Sequence, residues 1–117
     1  MMITGMRCLL LAALVVGVLC GGAAAADPSA TNGRALFASV GCASCHGTVG
    51  QGGAAGPRIA PDPLPFEALA TFVRNTSREM PPYSDKVLSD QALADIHAYL
   101  QSVSRPPDVR SVPLLNQ

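Results

Sequence analysis

The sequence has no tryptophan, and Phe37, Phe66, Phe72, Tyr83 and Tyr99 supply all of its aromatic bulk. Unaided, a chain so poor in large side chains can build only a thin core. Lysine is nearly missing too, with Lys86 standing alone. Eight basic residues meet eight acidic ones, a balance that argues against nucleic acid or an anionic membrane surface as partner. Cysteine is scarce, and two of the four, Cys8 and Cys20, lie in the first 26 residues. Beyond them the only thiols and imidazoles are Cys42, Cys45, His46 and His97, with no second spaced pair to complete a zinc site. No strand-helix-strand pattern surrounds the cysteine pair, as a dithiol redox enzyme would require. The glycines from Gly47 to Gly56 neither follow a strand nor open a helix, so they form no phosphate loop.

The N-terminus has the grading of a secretory signal. Arg7 is its positive end, Leu9 to Leu19 its apolar run, and Ala24-Ala25-Ala26 a small-residue cleavage site before Asp27. The rival is a retained anchor over Cys8 to Ala26, the one route to membrane attachment, but Gly21-Gly22-Ala23 onward is weakly apolar for a span. A lipoprotein is disfavoured because bulky Leu19 precedes Cys20. The expectation is therefore residues 1–26 as a cleaved signal, 27–103 as one domain, 104–117 as a Pro-rich tail, and a periplasmic location. Loss of Arg7 leaves seven basic residues against eight acidic.

The chemistry concentrates in Cys42-Ala43-Ser44-Cys45-His46. On a helical turn, side chains at i and i+3 share a face. Cys42 and Cys45 can thus present both sulfurs to the two vinyl groups on one porphyrin edge, and C-x-x-C-H is the pattern of covalent c-type haem attachment. His46 then falls under the ring as the proximal iron ligand. A porphyrin would also be the largest apolar object in this aromatic-poor chain. Pro57, with a rigid φ and no N–H, offers a firmly held carbonyl to accept from the second ring nitrogen of His46. Glycines 47–56 read as a flexible connector that lets backbone pass closely around the porphyrin edge.

Met80-Pro81-Pro82-Tyr83 is the second informative stretch, stiff and extended because each proline restricts the residue before it. Most methionines fill core gaps. Met80, however, is the only Met after the signal, and a thioether suits the open side of the iron. His97 is its competitor, but belongs to a regular helix and is expected to face solvent.

Three main helices are expected. The first starts near Asp27-Pro28, with Ser29 or Thr31 as alternative caps, and shows Gly33, Leu36, Phe37 and Val40 on one face. Gly33 is costly in a helix, which either a frayed first turn or a helix crossing closely at this point would explain. The second covers 64–75, with Pro65 in its first turn, Phe66, Leu69, Ala70 and Val73 inward, and Asn75 as a left-handed stop. In the last, Ser89 caps, Asp90 lies in the first turn, Leu93, Ile96, Leu100 and Val103 form the apolar face, and Tyr99 flanks it. Arg58, Arg74 and Arg78 read as solvated charges, each with an option on a haem propionate. The tail, carrying Leu114 and Leu115, is disordered, laid over the surface or docked on a partner.

Taken in order, Gly33-x-x-Leu36-Phe37, the Cys42 to Gly47 run, Gly56-Pro57, Met80-Pro81 and Leu93-x-x-Ile96-x-Ala98-Tyr99-Leu100 resemble the landmarks of small bacterial class I c-type cytochromes. The resemblance implies an all-α cytochrome c fold around one covalent haem c, iron ligated by His46 and Met80, and Gly33, Phe37, Ile96 and Tyr99 at the crossing of the terminal helices. It departs from mitochondrial cytochromes c in lacking their ring of lysines. A closed His/Met iron implies a periplasmic electron carrier, not an enzyme, serving redox partners such as a dehydrogenase or an oxidase. The alternative is the cytochrome subunit of a periplasmic flavin or molybdenum dehydrogenase. A gas-binding or peroxidase-like haem, with Met80 uncoordinated, is disfavoured because the motif lies near the N-terminus and the pattern fixes no distal His or Arg.

Overall fold

A computed structural model describes residues 25–115. Four helices follow one another: α1 (Ala30–Ser39), α2 (Cys42–His46), α3 (Phe66–Asn75) and α4 (Asp90–Ser102), then single 3-10 turns at Val109–Ser111 and Pro113–Leu115. No strand occurs among the described residues, where extended pairing amounts to one isolated bridge, Gly53 with Gly56. The all-α expectation therefore holds, with α2 a short fourth helix that carries the cysteine motif. The expected signal, and the alternative of a retained anchor, lie almost wholly outside the described residues. Among those described, no helix is long and apolar enough to cross a membrane.

Helices α1 and α4 cross at Gly33. A Cβ there would overlap the Asp95 carbonyl and come 2.9 Å from the Ile96 nitrogen, so only glycine permits the approach. Below the crossing, Phe37 and Tyr99 pack with ring centroids 5.6 Å apart. Tyr99, expected at the flank, is buried and donates its hydroxyl to the Thr48 carbonyl at 3.1 Å.

The start of α1 is set from across the molecule. The Ser29 N–H donates to Asp95 Oδ1 at 2.8 Å and the Asn32 side chain donates to Oδ2 at 2.6 Å. Held extended by that contact, Ser29 becomes the cap, its hydroxyl accepting from the Asn32 N–H, and the helix begins there rather than at Asp27-Pro28. The Gln91 side chain adds a third bond to Asp95 at 3.1 Å. These donors hold the Asp95 carboxyl below its ordinary value, the Ser29 amide first and Asn32 next, against an opposing contribution from burial.

Helix α3 starts two residues later than the pattern suggests, because Pro65 keeps Leu64 extended and itself takes the cap position. Asn75 is not a left-handed stop. No non-glycine residue among those described has positive φ, and Asn75 ends the helix in ordinary geometry with its side chain donating to the Thr71 carbonyl. Ser89 caps α4 as expected, accepting from the Ala92 N–H.

The glycine connector is folded rather than loose. Gly47, Gly50 and Gly52 take positive φ, which turns the chain so that the Gly52 N–H reaches the His46 carbonyl at 2.7 Å. The Ile59 and Ala60 N–H groups both reach the Gly50 carbonyl. The tail is also ordered locally, into its two short turns, and Arg105 pairs with Asp62 at 2.8 Å. Leu114 and Leu115 remain exposed, so the tail covers no core with them.

Candidate functional site

Helix α2 is entered through Gly41 and left through Gly47, both with positive φ, so one helical turn stands between two sharp bends. That turn places Cys42 and Cys45 on one face, Cys42 half-buried and Cys45 exposed, both free thiols. Burial pushes the Cys42 thiol above its ordinary value. A backbone hydrogen bond partly offsets this and the neighbouring Cys45 adds to it. The Cys42 thiol is thus held in its neutral form.

His46 is buried, and its Nδ1 is 2.8 Å from the Pro57 carbonyl. A carbonyl can only accept, so Nδ1 carries the proton and Nε2 is the nitrogen left with a lone pair. Gly56 makes the contact possible: a Cβ there would lie 3.0 Å from the Cys45 oxygen and 3.2 Å from His46 Cε1.

These residues border an apolar cleft with two adjoining lobes of about 310 and 220 Å³. Cys42, His46, Pro57 and Met80 line both lobes, and Cys45 lines the smaller. Five residues between 42 and 80 in the sequence are thereby brought to one cavity. Phe37, Leu69, Val73, Leu93 and Leu100 supply its inner wall, and Leu64 and Phe72, each about half exposed, stand at its border. His97 lines neither lobe. It is half-buried rather than solvent-facing, donates Nε2–H to the Leu64 carbonyl at 3.0 Å and meets the Phe66 ring edge-on.

The donor set suits a covalently held haem: two thiols one helical turn apart, an imidazole whose orientation and tautomer are fixed, a thioether, and walls without a competing buried charge. Three contributors escaped the sequence pattern. Phe72 lies off the expected inward face of α3 yet lines both lobes. Tyr83 also lines both and donates its hydroxyl to the Val40 carbonyl at 2.9 Å. Burial is the main cause raising the Tyr83 phenol above its ordinary value, which keeps it a donor. Arg74 is not a solvated charge, since its side chain is only 19% exposed and bonds the Tyr83 carbonyl and Asp90.

Comparison with known proteins gives three relevant similarities. A sequence-family profile described as cytochrome c oxidase, cbb3-type, subunit III matches residues 28–100. The cytochrome bc1 complex cytochrome c subunit of Corynebacterium diphtheriae is 35% identical over 85 residues, 69% of this chain and 30% of that protein. Its counterpart from Mycobacterium leprae is 37% identical over 65 residues, 53% and 22% of the two chains. This chain therefore spans less than a third of either subunit. Cytochrome c-555 of Methylococcus capsulatus is 29% identical over 105 residues, which cover 86% of this chain and 85% of that one. No solved structure matches.

Proposed function

The chain belongs to the c-type cytochrome family of the cbb3-type oxidase subunit III domain, and from that premise we propose a periplasmic one-electron carrier whose haem is joined to Cys42 and Cys45 and ligated by His46 and Met80. As a small c-type cytochrome it is an electron-transfer protein, not an enzyme. A bound haem supplies the one-electron iron couple. Everything else falls to the chain. Cys42 and Cys45 would hold the porphyrin edge; the Pro57 carbonyl orients His46 and would make Nε2 a better donor. Met80 would be the second protein ligand of the iron, where its thioether would leave no position for a substrate and raise the potential. Apolar walls work in the same direction, because they disfavour the more highly charged oxidised state.

The observation that carries this reading is the His46 to Pro57 hydrogen bond of 2.8 Å at the wall of an apolar cleft that Met80 also lines. The testing experiment is optical. Protein matured with haem should retain it through denaturation, show the Met-to-iron charge-transfer band when oxidised, and bind carbon monoxide only slowly when reduced. Rapid binding at neutral pH with no such band would sink the assignment.

Export rests on the signal pattern of residues 1–26. For partners we favour a respiratory complex, a dehydrogenase or oxidase exchanging electrons with a mobile carrier; relatives named as bc1 complex subunits support that setting. A second reading, a docked subunit of a flavin or molybdenum dehydrogenase, draws on the tail, where Val109, Leu114 and Leu115 are all exposed. Co-purification with a dehydrogenase chain favours the subunit, and a monomer free of partners favours the shuttle.

A further inference from the structure

Residues 76–89 join α3 to α4 and include Met80-Pro81-Pro82-Tyr83. Pro81 and Pro82 have no N–H, so neither can anchor this stretch by backbone donation. The loop has to be held on either side of them. Next to Met80 there is one long bond, Thr76 Oγ1 to the Met80 carbonyl at 3.3 Å. At Tyr83 there are three: its N–H donates to the Val73 carbonyl at 3.0 Å, its hydroxyl donates to the Val40 carbonyl at 2.9 Å, and its carbonyl accepts from Arg74 Nη1 at 2.8 Å.

Arg74 is the charged member of this anchor. Its Nη2 reaches Asp90 Oδ1 at 2.8 Å, but the Asp90 side chain is 83% exposed, and such an ion pair contributes little. The bond from the largely covered guanidinium to the Tyr83 carbonyl is charge-assisted and correspondingly strong. Between that carbonyl and Met80 lie two residues with fixed φ, a strut with little freedom to absorb movement. Where Tyr83 is held, Met80 is held.

We propose that Arg74 is a positioning residue for Met80: by gripping the Tyr83 carbonyl it keeps the Pro81-Pro82 strut, and so the thioether, set into the cleft. This rests on the reading of Met80 as an axial ligand, and it gives a role to a charge that no other feature of the site uses.

The test is an imidazole titration of the oxidised, haem-loaded protein, followed by loss of the Met-to-iron band, with the midpoint potential measured alongside. Arg74→Leu should lower the imidazole dissociation constant about tenfold, the scale of one charge-assisted hydrogen bond, and lower the potential. Arg74→Lys, which can still offer one charged donor, should fall between Leu and wild type. Asn32→Ala is the control for general destabilisation. It removes a bond to Asp95 at the helix crossing and should lower thermal stability with the imidazole constant unchanged. If Arg74→Leu does not load haem, Arg74→Lys carries the test, expected to bind imidazole more tightly than wild type. Wild-type imidazole binding in the Arg74 variants overturns the positioning role. Absence of the Met-to-iron band in the wild type itself overturns the ligand assignment instead.

Discussion

Replacing Asp95 by asparagine removes the charge from the one buried carboxylate among the described residues while nearly preserving its shape. The side chain accepts from the Ser29 amide, the Asn32 side chain and the Gln91 side chain at 2.8, 2.6 and 3.1 Å. An asparagine offers one acceptor oxygen, so one of the two shorter donors must face an NH₂ group. Losing a charge-assisted bond and stranding its donor costs about 2–3 kcal/mol, which for a domain of this size lowers the melting temperature by roughly 10–20 °C. The pH dependence identifies the cause. Because the folded-state carboxyl lies below its unfolded value, its stabilisation is complete above the unfolded pKa, near 4, and is lost as pH falls through the folded one. The gap between wild type and Asp95→Asn should therefore be constant above about pH 5 and shrink below about pH 4. Guanidinium unfolding of the haem-loaded proteins, followed by circular dichroism across that range, measures it. A gap that is absent at pH 7, or that persists unchanged into acid, would rule out the Asp95 charge as its source.

Two other substitutions probe the scaffold and the site. Gly33→Ala puts a methyl group into the Asp95 carbonyl and should force the terminal helices apart at a cost of about 1–3 kcal/mol or more, read by the same unfolding assay. Gly56→Ala would crowd the Cys45 oxygen and His46 Cε1, weakening the His46 to Pro57 hydrogen bond. A less basic His46 should raise the midpoint potential by about 20–60 mV, where about 59 mV is a tenfold change in a one-electron equilibrium; protein-film voltammetry would show it.

What could be read in advance was local or repeated. Ser89 as a cap and the Leu93, Ile96, Leu100 face follow from short-range rules, and Gly33, costly in a helix, points to a frayed first turn or a crossing, of which the structure has the crossing. What could not be read depends on pairs far apart in the sequence. Asp95 lies in α4 as any solvated carboxylate would, and only the arrival of Ser29, 66 residues away, makes it a buried clamp and moves the start of α1. Arg74 likewise has the look of a surface charge until the return of the chain at Tyr83 supplies its acceptor. The glycine connector departs from the expected flexibility for a different reason. A glycine-rich composition signals permitted positive φ, and here that freedom is spent on hydrogen-bonded turns rather than on flexibility. The cleft itself drew on both kinds of signal: the motif and Met80 were legible, whereas Phe72 and Tyr83 entered through the packing of α3 and the loop after it.

The proposed closure of the iron by Met80 is put to the test by the midpoint potential of Met80→Ala. The expected result is a fall in midpoint potential, loss of the Met-to-iron charge-transfer band and rapid carbon monoxide binding by the reduced protein. A potential and spectrum identical to wild type would contradict it.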